Sequence, residues 1–555
     1  MTASPLLVVA NLSVHFDRSA RAAVDGISFE VAAGECLAIV GESGSGKSLT
    51  ARSLLGLAPA GAHVSFNELS LAGERLPAQG ARRWRSIRGA SMGLILQDAL
   101  VSLDPLRPVG REIDDVLRLH TTLSQRERQA RVLELLHAVG IPDPALRARQ
   151  RSGELSGGLR QRALIAAGIA AGPALIIADE PTTALDVTVQ ARVLDVLSSL
   201  RDSGTAMILI THDLAVVSRV ADRVAVMSEG RIVETGETNA VLRAPTALPT
   251  QQLLAAIPVD VPRGVALTLP LDEGAVAPAI AAHRGPKISI APLDEPGSVP
   301  PPALELRSVS RRYPTPQGAA IQALDSVSLT LTVGTTLGLV GQSGSGKTTI
   351  ARIALGLETA DSGDVLLDGH EWGALSARER RPRRHILGAI YQDALSSFDP
   401  RWSVERILSD ALSVGVSDTR RSLTTINELL DAVGLPQSIK NRRPLHLSGG
   451  QRQRVAIARA LAPAPQTLLC DEPVSSLDVS TQARVLNLLD ELQRHLDLSY
   501  LFISHDLGVI RHMSDRVAVI NEGRIVETGE TNEIFTAPRD PYTRSLLAAL
   551  PRVRR

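Results

Sequence analysis

The sequence predicts an α/β protein built from two homologous halves, and three observations carry that reading. GESGSGKS at 41–48 returns as GQSGSGKT at 341–348. ADEPTTALDVTVQARVL at 178–194 returns as CDEPVSSLDVSTQARVL at 470–486, and EGRIVETGETN is identical at 229–239 and 522–532. In both halves short apolar runs end in a glycine loop, a carboxylate pair or a histidine. Open parallel sheets place ligands at such C-terminal strand edges. The spacing between copies stays nearly constant across each half, which signals duplicated domains and not a solenoid of short repeats.

In chain order, ECLAIV (35–40) and TLGLV (336–340) read as buried strands, followed by helices starting near Leu49 and Thr349. Between strand and helix lies G-x-x-x-x-G-K-[S/T], whose backbone N–H groups wrap phosphates while the helix dipole favours the anion. In the first copy Gly41, Glu42, Ser43, Gly44, Ser45 and Gly46 form the cradle. Lys47 would reach the β/γ-phosphates and Ser48 would ligate Mg²⁺. In the second copy the cradle is Gly341, Gln342, Ser343, Gly344, Ser345 and Gly346, followed by Lys347 and Thr348. The chain has four lysines in all, Lys47, Lys287, Lys347 and Lys440, and two stand in these loops. A compact ammonium fits there where a planar guanidinium does not.

ALIIADE and TLLCDE read as further strands ending at Asp179 and Asp471, placed to hold Mg²⁺ through water. The adjacent Glu180 and Glu472 could orient an attacking water, since phosphoryl transfer is mainly positioning and electrostatics. AMILITHD and YLFISHD end in His212 and His505, candidate γ-phosphate contacts. Gln97 and Gln392 gain weight from the repeat LQDALVSLDP (96–105) and YQDALSSFDP (391–400). LSGGLRQR (155–162) and LSGGQRQR (447–454) each open a helix with a serine and two glycines, a second anion cradle. Ser156, Gly157 and Gly158, and Ser448, Gly449, Gly450 and Gln451, are its members.

At 555 residues and 44% hydrophobic content the chain can bury large cores. Lys+Arg and Asp+Glu are both 59, so net charge supplies no general attraction to nucleic acid or anionic lipid. Cys36 and Cys470 lie in apolar strands, as packing residues and not a disulfide, and are too few for an iron–sulfur or zinc site. The N-terminal MTASPLLVVANLS lacks the basic start and apolar length of a signal peptide. The apolar stretch 163–178 is shorter than a membrane span and is split by Gly172-Pro173, so it reads as buried helix then buried strand. A soluble, cytosolic chain is the expectation. The Arg-rich stretches 81–88 and 378–385 carry no repeated aromatic platform, so a solvated or partner-contacting face is expected and nucleic acid is not. The predicted domains are 1–258 and 303–555, joined by an irregular Pro/Ala/Gly-rich linker at 259–302 that lets the halves move.

With these motifs in this order twice, the sequence resembles the ATP-binding cassette (ABC) ATPases. The match runs through Walker A, Q-loop glutamine, LSGG signature, Walker B with its glutamate, D-loop (184–186 and 476–478) and H-loop. The resemblance implies two tandem P-loop NTPase cores, each with an antiparallel β part and a helical signature subdomain. It also implies Mg²⁺ with ATP, and head-to-tail pairing that sets one cassette's Walker A against the other's signature. Phe16 and Tyr313 stand where the family places an adenine-stacking aromatic, with plain core packing as the other reading. The Q-loop extensions (97–109, 392–404) and PRDPYTRSLLAALP (538–551) resemble the oligopeptide/dipeptide/nickel importer ATPases; the corresponding 245–258 is degenerate. Ala99 and Ala394 depart from the proline usual there, Leu159 replaces a signature glutamine, and the cysteine-rich motif of some relatives is absent.

The implied function is the ATPase subunit of an importer for peptides or related small solutes, peripheral on the cytoplasmic face of the inner membrane. Two polytopic permease subunits and an extracytoplasmic solute-binding protein are the implied partners. The alternative is a soluble tandem ABC ATPase acting on ribosomes or nucleic acid, whose relatives use a charged helical linker unlike 259–302. The transported solute is not encoded in this chain's motifs.

Overall fold

A computed structural model describes residues 5–17, 21–96, 102–182, 185, 187–259, 261–267, 301–314, 320–414, 423 and 425–548. The chain forms two compact units, which over the described residues are 5–254 and 255–548.

The core of the first unit is a six-stranded sheet. Its spatial order is Arg231–Glu237, Arg223–Ser228, Cys36–Gly41, Ala206–Ile210, Leu175–Asp179 and Met92–Ile95. All neighbours pair in parallel except the first two, which form an antiparallel hairpin. The central strands read as unbroken apolar runs because both faces are covered. Strand alternation shares them out between two cores. Leu175 and Ile177 pack with Leu37, Ile39, Ile208 and Ile210 toward the phosphate-loop helix Lys47–Leu54 and the antiparallel strands Leu7–Phe16 and Val24–Val31. Ile176, Ala178, Met207 and Leu209 face the other way, onto the helices Val109–His120, Gln125–Ala138 and Gly157–Ile169. The second of these helices starts at a capping box between Ser124 and Glu127. Ser124 accepts from the Glu127 amide while Glu127 accepts from the Ser124 amide, satisfying two end donors at once.

The second unit repeats the plan. Its sheet runs Leu387–Ile390, Thr467–Asp471, Ser499–Ile503, Thr336–Val340, Arg516–Asn521 and Arg524–Glu530. Leu304–Pro314 and Ala320–Leu331 form its antiparallel layer, and Val404–Val414, Ile426–Ala432 and Gly449–Leu461 its helical part. Each cassette is therefore an α/β core with an antiparallel β layer and a helical subdomain. The stretch 163–178 resolves into the end of Gly157–Ile169 and the buried strand Leu175–Asp179, and no helix among the described residues is long and apolar enough to cross a membrane. Cys36 and Cys470 are fully buried free thiols. Pro258–Val259 and Val261–Leu267 lie with the second unit, against its helices Val479–Leu496 and Leu507–Met513.

Candidate active site

The phosphate loops begin where a buried strand must turn sharply into a helix. A Cβ on Gly41 would lie 2.1 Å from the Met227 carbonyl oxygen, and one on Gly341 2.2 Å from that of Ile520. Gly46 and Gly346 sit at φ 103° and 108°, a left-handed turn that only glycine adopts freely, directly ahead of the helices Lys47–Leu54 and Lys347–Ala354. Both helices start at the lysine, two residues earlier than the sequence suggests. The lysines are buried in their own loops. Lys47 donates from Nζ to the carbonyls of Gly41 (2.8 Å) and Glu42 (2.7 Å), and Lys347 to those of Gly341 (2.7 Å) and Gln342 (2.8 Å). The loops thus close into rings around an ammonium. Glu42, Ser43 and Gly44, like Ser343 and Gly344, stay exposed at the mouth, Gln342 is half-buried, and Ser45 and Ser345 turn inward. The Ser345 hydroxyl is a buried oxygen with no hydrogen-bond partner, a donor free for a ligand in the cradle.

Carboxylates and histidines converge beside each ring. Ser48 donates from Oγ to Asp179 Oδ1 at 3.1 Å, joining the phosphate-loop helix to the end of the strand Leu175–Asp179. Burial raises the Asp179 carboxyl above the ordinary range, with the Ser48 bond opposing and the Glu180 charge reinforcing it. Asp471 is pushed up to about 6 by burial and by the neighbouring Glu472. Thr348 stands exposed at the equivalent loop position. A hydroxyl beside a carboxylate whose burial calls for a positive charge is a donor set suited to Mg²⁺, so the residues fit the ion.

Glu180 and Glu472 follow those aspartates with φ of 48° each, left-handed for a residue with a side chain. Their amides are held by the carbonyls of Ile210 (2.8 Å) and Ile503 (2.9 Å) on the neighbouring strand. Strained backbone of this kind persists where surrounding structure over-determines it, and it concentrates at functional sites. The turn brings Glu180 Oε1 within 3.1 Å of His212 Nδ1 and Glu472 Oε1 within 3.1 Å of His505 Nδ1. Burial alone would lower both imidazole pKa values, but the glutamate hydrogen bond and charge outweigh it and raise them. Glu472 moves the opposite way, below the carboxylate range: burial opposes, and the His505 bond and charge prevail. Gln392 donates from Nε2 to Glu472 Oε2 at 2.8 Å, so Gln392, Glu472 and His505 form one cluster. Its counterpart Gln97 lies outside the described residues, as does Asp186 of the first D-loop.

The signature serines cap their helices. Ser156 accepts from the Leu159 amide at 3.4 Å, whereas Ser448 and Gln451 make a reciprocal capping box. The two glycines of each motif have different reasons. A Cβ on Gly157 meets nothing within 4 Å, leaving the helix end open to an approaching anion, and one on Gly449 touches Leu477 at an ordinary 3.5 Å. Gly158 and Gly450 are required by packing: a Cβ would stand 2.8 Å from Val189 Cγ1 or 2.5 Å from Thr481 Cγ2. Phe16 and Tyr313 end antiparallel strands half-exposed, so neither is a core residue, and Arg311 lies over the Tyr313 ring at 5.2 Å. One contact had no signal in the motif pattern. Tyr542, on the C-terminal helix Pro541–Ala548, accepts from the Gln342 amide of the second phosphate loop at 3.1 Å.

The sequence profile described as "ABC transporter" matches residues 24–183 and again 324–475, more than half of the chain. The profile "Oligopeptide/dipeptide transporter, C-terminal region" matches 526–555. Among curated proteins, the chain is 40% identical over 553 residues to the peptidoglycan transport ATP-binding protein YejF of Agrobacterium fabrum, covering 98% of this chain and 96% of that one. It is 39% identical over 569 residues to the glutathione import ATP-binding protein GsiA of Escherichia coli K12, covering 99% and 90%. Duplicated phosphate loops, paired acid–histidine clusters and both profile matches agree: the chain belongs to the ABC transporter family, as a two-cassette ATP-binding protein and ATPase of the oligopeptide/dipeptide transporter type.

Proposed function

We propose that this ATPase energises import of peptides or related small solutes, through two composite ATP sites. In each, the triphosphate would lie on one cassette's phosphate loop and be closed over by the other cassette's signature. Lys47 and Glu180 would work with Ser448, Gly449, Gly450 and Gln451, and Lys347 and Glu472 with Ser156, Gly157 and Gly158. The observation that supports this most is the intact Glu–His pair in both halves, which gives neither site a reason to be degenerate.

The phosphates would take over Lys47 and Lys347 from the loop carbonyls that now accept from them. Exposed loop residues and the signature serines would add backbone and hydroxyl donors around the β- and γ-oxygens, aimed where charge develops. Ser48 with Asp179, and Thr348 with Asp471, would hold Mg²⁺, with Gln97 and Gln392 reaching it on closure; the ion supplies charge neutralisation at the phosphate oxygens. Glu180 and Glu472 would orient the attacking water, accepting its hydrogen bond. His212 and His505, anchored through Nδ1 on those carboxylates, are left with Nε2 to meet the γ-phosphate side. Phe16 and Tyr313 would stack on adenine.

The relatives' names carry transport of peptidoglycan and import of glutathione, so the solute proposed here is a peptide or peptide-like molecule. Two polytopic permease subunits and an extracytoplasmic binding protein would complete the importer, with this chain peripheral at the cytoplasmic face of the inner membrane. Glu180→Gln and Glu472→Gln test the site: each should reduce ATP turnover at least tenfold while ATP binding remains. Wild-type turnover in the double variant rejects the site. Co-purification with ribosomes, and not with two permeases, rejects the importer.

A further inference from the structure

In the first cassette two ion pairs close the surface formed by the helices that follow the Walker B and H-loop strands. Arg201 stands 3.5 Å from Asp222 and donates to the Val220 carbonyl at 2.8 Å, while Arg219 pairs with Asp195 at 2.7 Å. Asp222 also accepts from the Cys36 amide at 2.8 Å. The second cassette keeps the aspartate: Asp515 accepts from the Thr336 amide at 2.7 Å. Its surroundings are altered. Aligned by the repeat, Arg201 becomes Gln493, Asp195 becomes Asn487, Arg219 becomes His512 and Ala215 becomes Gly508.

All four altered residues meet the chain between the two ATPase cores. Arg263 pairs with Asp515 and donates to Gln493, so its guanidinium stands in for the arginine missing at 493. The Leu267 amide donates to Asn487 Oδ1 at 3.0 Å, and its side chain is fully buried. His512, itself buried, donates from Nδ1 to the Val261 carbonyl at 3.2 Å. A Cβ at Gly508 would come within 2.9 Å of Val259 Cγ2. Where one cassette satisfies its polar groups internally, the other has exchanged them for groups that receive a peptide.

We propose that Pro258–Val259 and Val261–Leu267 are a built-in peptide ligand of the second cassette, received by Gln493, Asn487, His512, Gly508 and Asp515. The strap is anchored by one buried leucine, one guanidinium–carboxylate pair and three hydrogen bonds with partly buried groups, where such bonds are costly to leave unmade. The chain that joins the cassettes then starts after Leu267, and the second cassette is completed by residues that precede its own first strand. This inference is independent of nucleotide binding and of the solute.

Hydrogen–deuterium exchange on the full-length protein without nucleotide tests it. The Leu267 amide should exchange at least tenfold more slowly than in an unstructured peptide. Gln493→Arg restores the first cassette's arginine and should expel Arg263. Strap protection should then fall at least tenfold while the strand Thr336–Val340 stays protected. Arg263→Ala should also release the strap. An unprotected Leu267 in the wild type, or full strap protection in Gln493→Arg, overturns the proposal. So does strap protection confined to a dimer by light scattering and lost on dilution, which would place the strap on a second copy.

Discussion

Glu472 carries three roles at once: it occupies a left-handed backbone position, accepts from Gln392 and binds His505. The strain costs of order 1–3 kcal/mol. It is held by the Ile503 carbonyl and by the neighbouring side chains, which aim the carboxylate instead of letting it relax. Because burial alone would lower the His505 pKa, the raised value depends on Glu472. In Glu472→Gln, histidine NMR should therefore show the His505 pKa falling below its ordinary value; an unchanged pKa contradicts the pairing. Asp471, beside that cluster, fixes a pH dependence. A carboxyl raised to about 6 in the fold favours the folded state most below the unfolded Asp pKa, and that advantage is lost as pH rises through about 6. Asp471→Asn should accordingly be more thermostable than wild type at pH 8 without nucleotide, with the gap closing below pH about 6. A gap that instead widens toward acid pH rejects this sign. The sequence shows the aspartate, glutamate and histidine at strand ends, because each follows an unbroken apolar run. It does not show the positive φ or the Nδ1 contacts, which arise only when neighbouring strands set their ends side by side.

Among elements, the signature helices separate packing from ligand approach. Gly450→Ala drives a methyl against Thr481 and should cost about 1–3 kcal/mol, read as a lower melting temperature of the second cassette. Gly449→Ala makes only ordinary contact, so melting should hold while ATP turnover falls. Equal melting losses in the two variants would contradict this division. Read from the sequence, both glycines served the anion; the reason for the second lies on a helix some thirty residues onward, beyond any local pattern. Leu159 has a related consequence. It leaves Ser156 without the reciprocal partner that Gln451 gives Ser448. Leu159→Gln should complete a capping box and stabilise the first cassette by about 0.5 kcal/mol, measured by thermal unfolding. No gain, with the introduced amide side chain ordered at the helix end, would contradict the capping account.

Over the whole molecule, duplication was legible because the motifs repeat in one order, and each repeated segment has a single role in its sheet. The strap was not legible: 259–302 reads as irregular, and its docking depends on Gln493, Asn487, His512 and Gly508, single exchanges that no periodicity marks. Tyr542 escaped for the same reason, its hydroxyl meeting a loop 200 residues earlier. The proposal that two cassettes on one chain make two shared sites explains why the phosphate loop occurs twice. Photocrosslinking from the γ-phosphate of an ATP analogue held at Lys47, in a Lys347→Ala background, tests it most directly. The account predicts labelling around Ser448–Gln451 in a monomer; labelling around Ser156–Gly158 would contradict it.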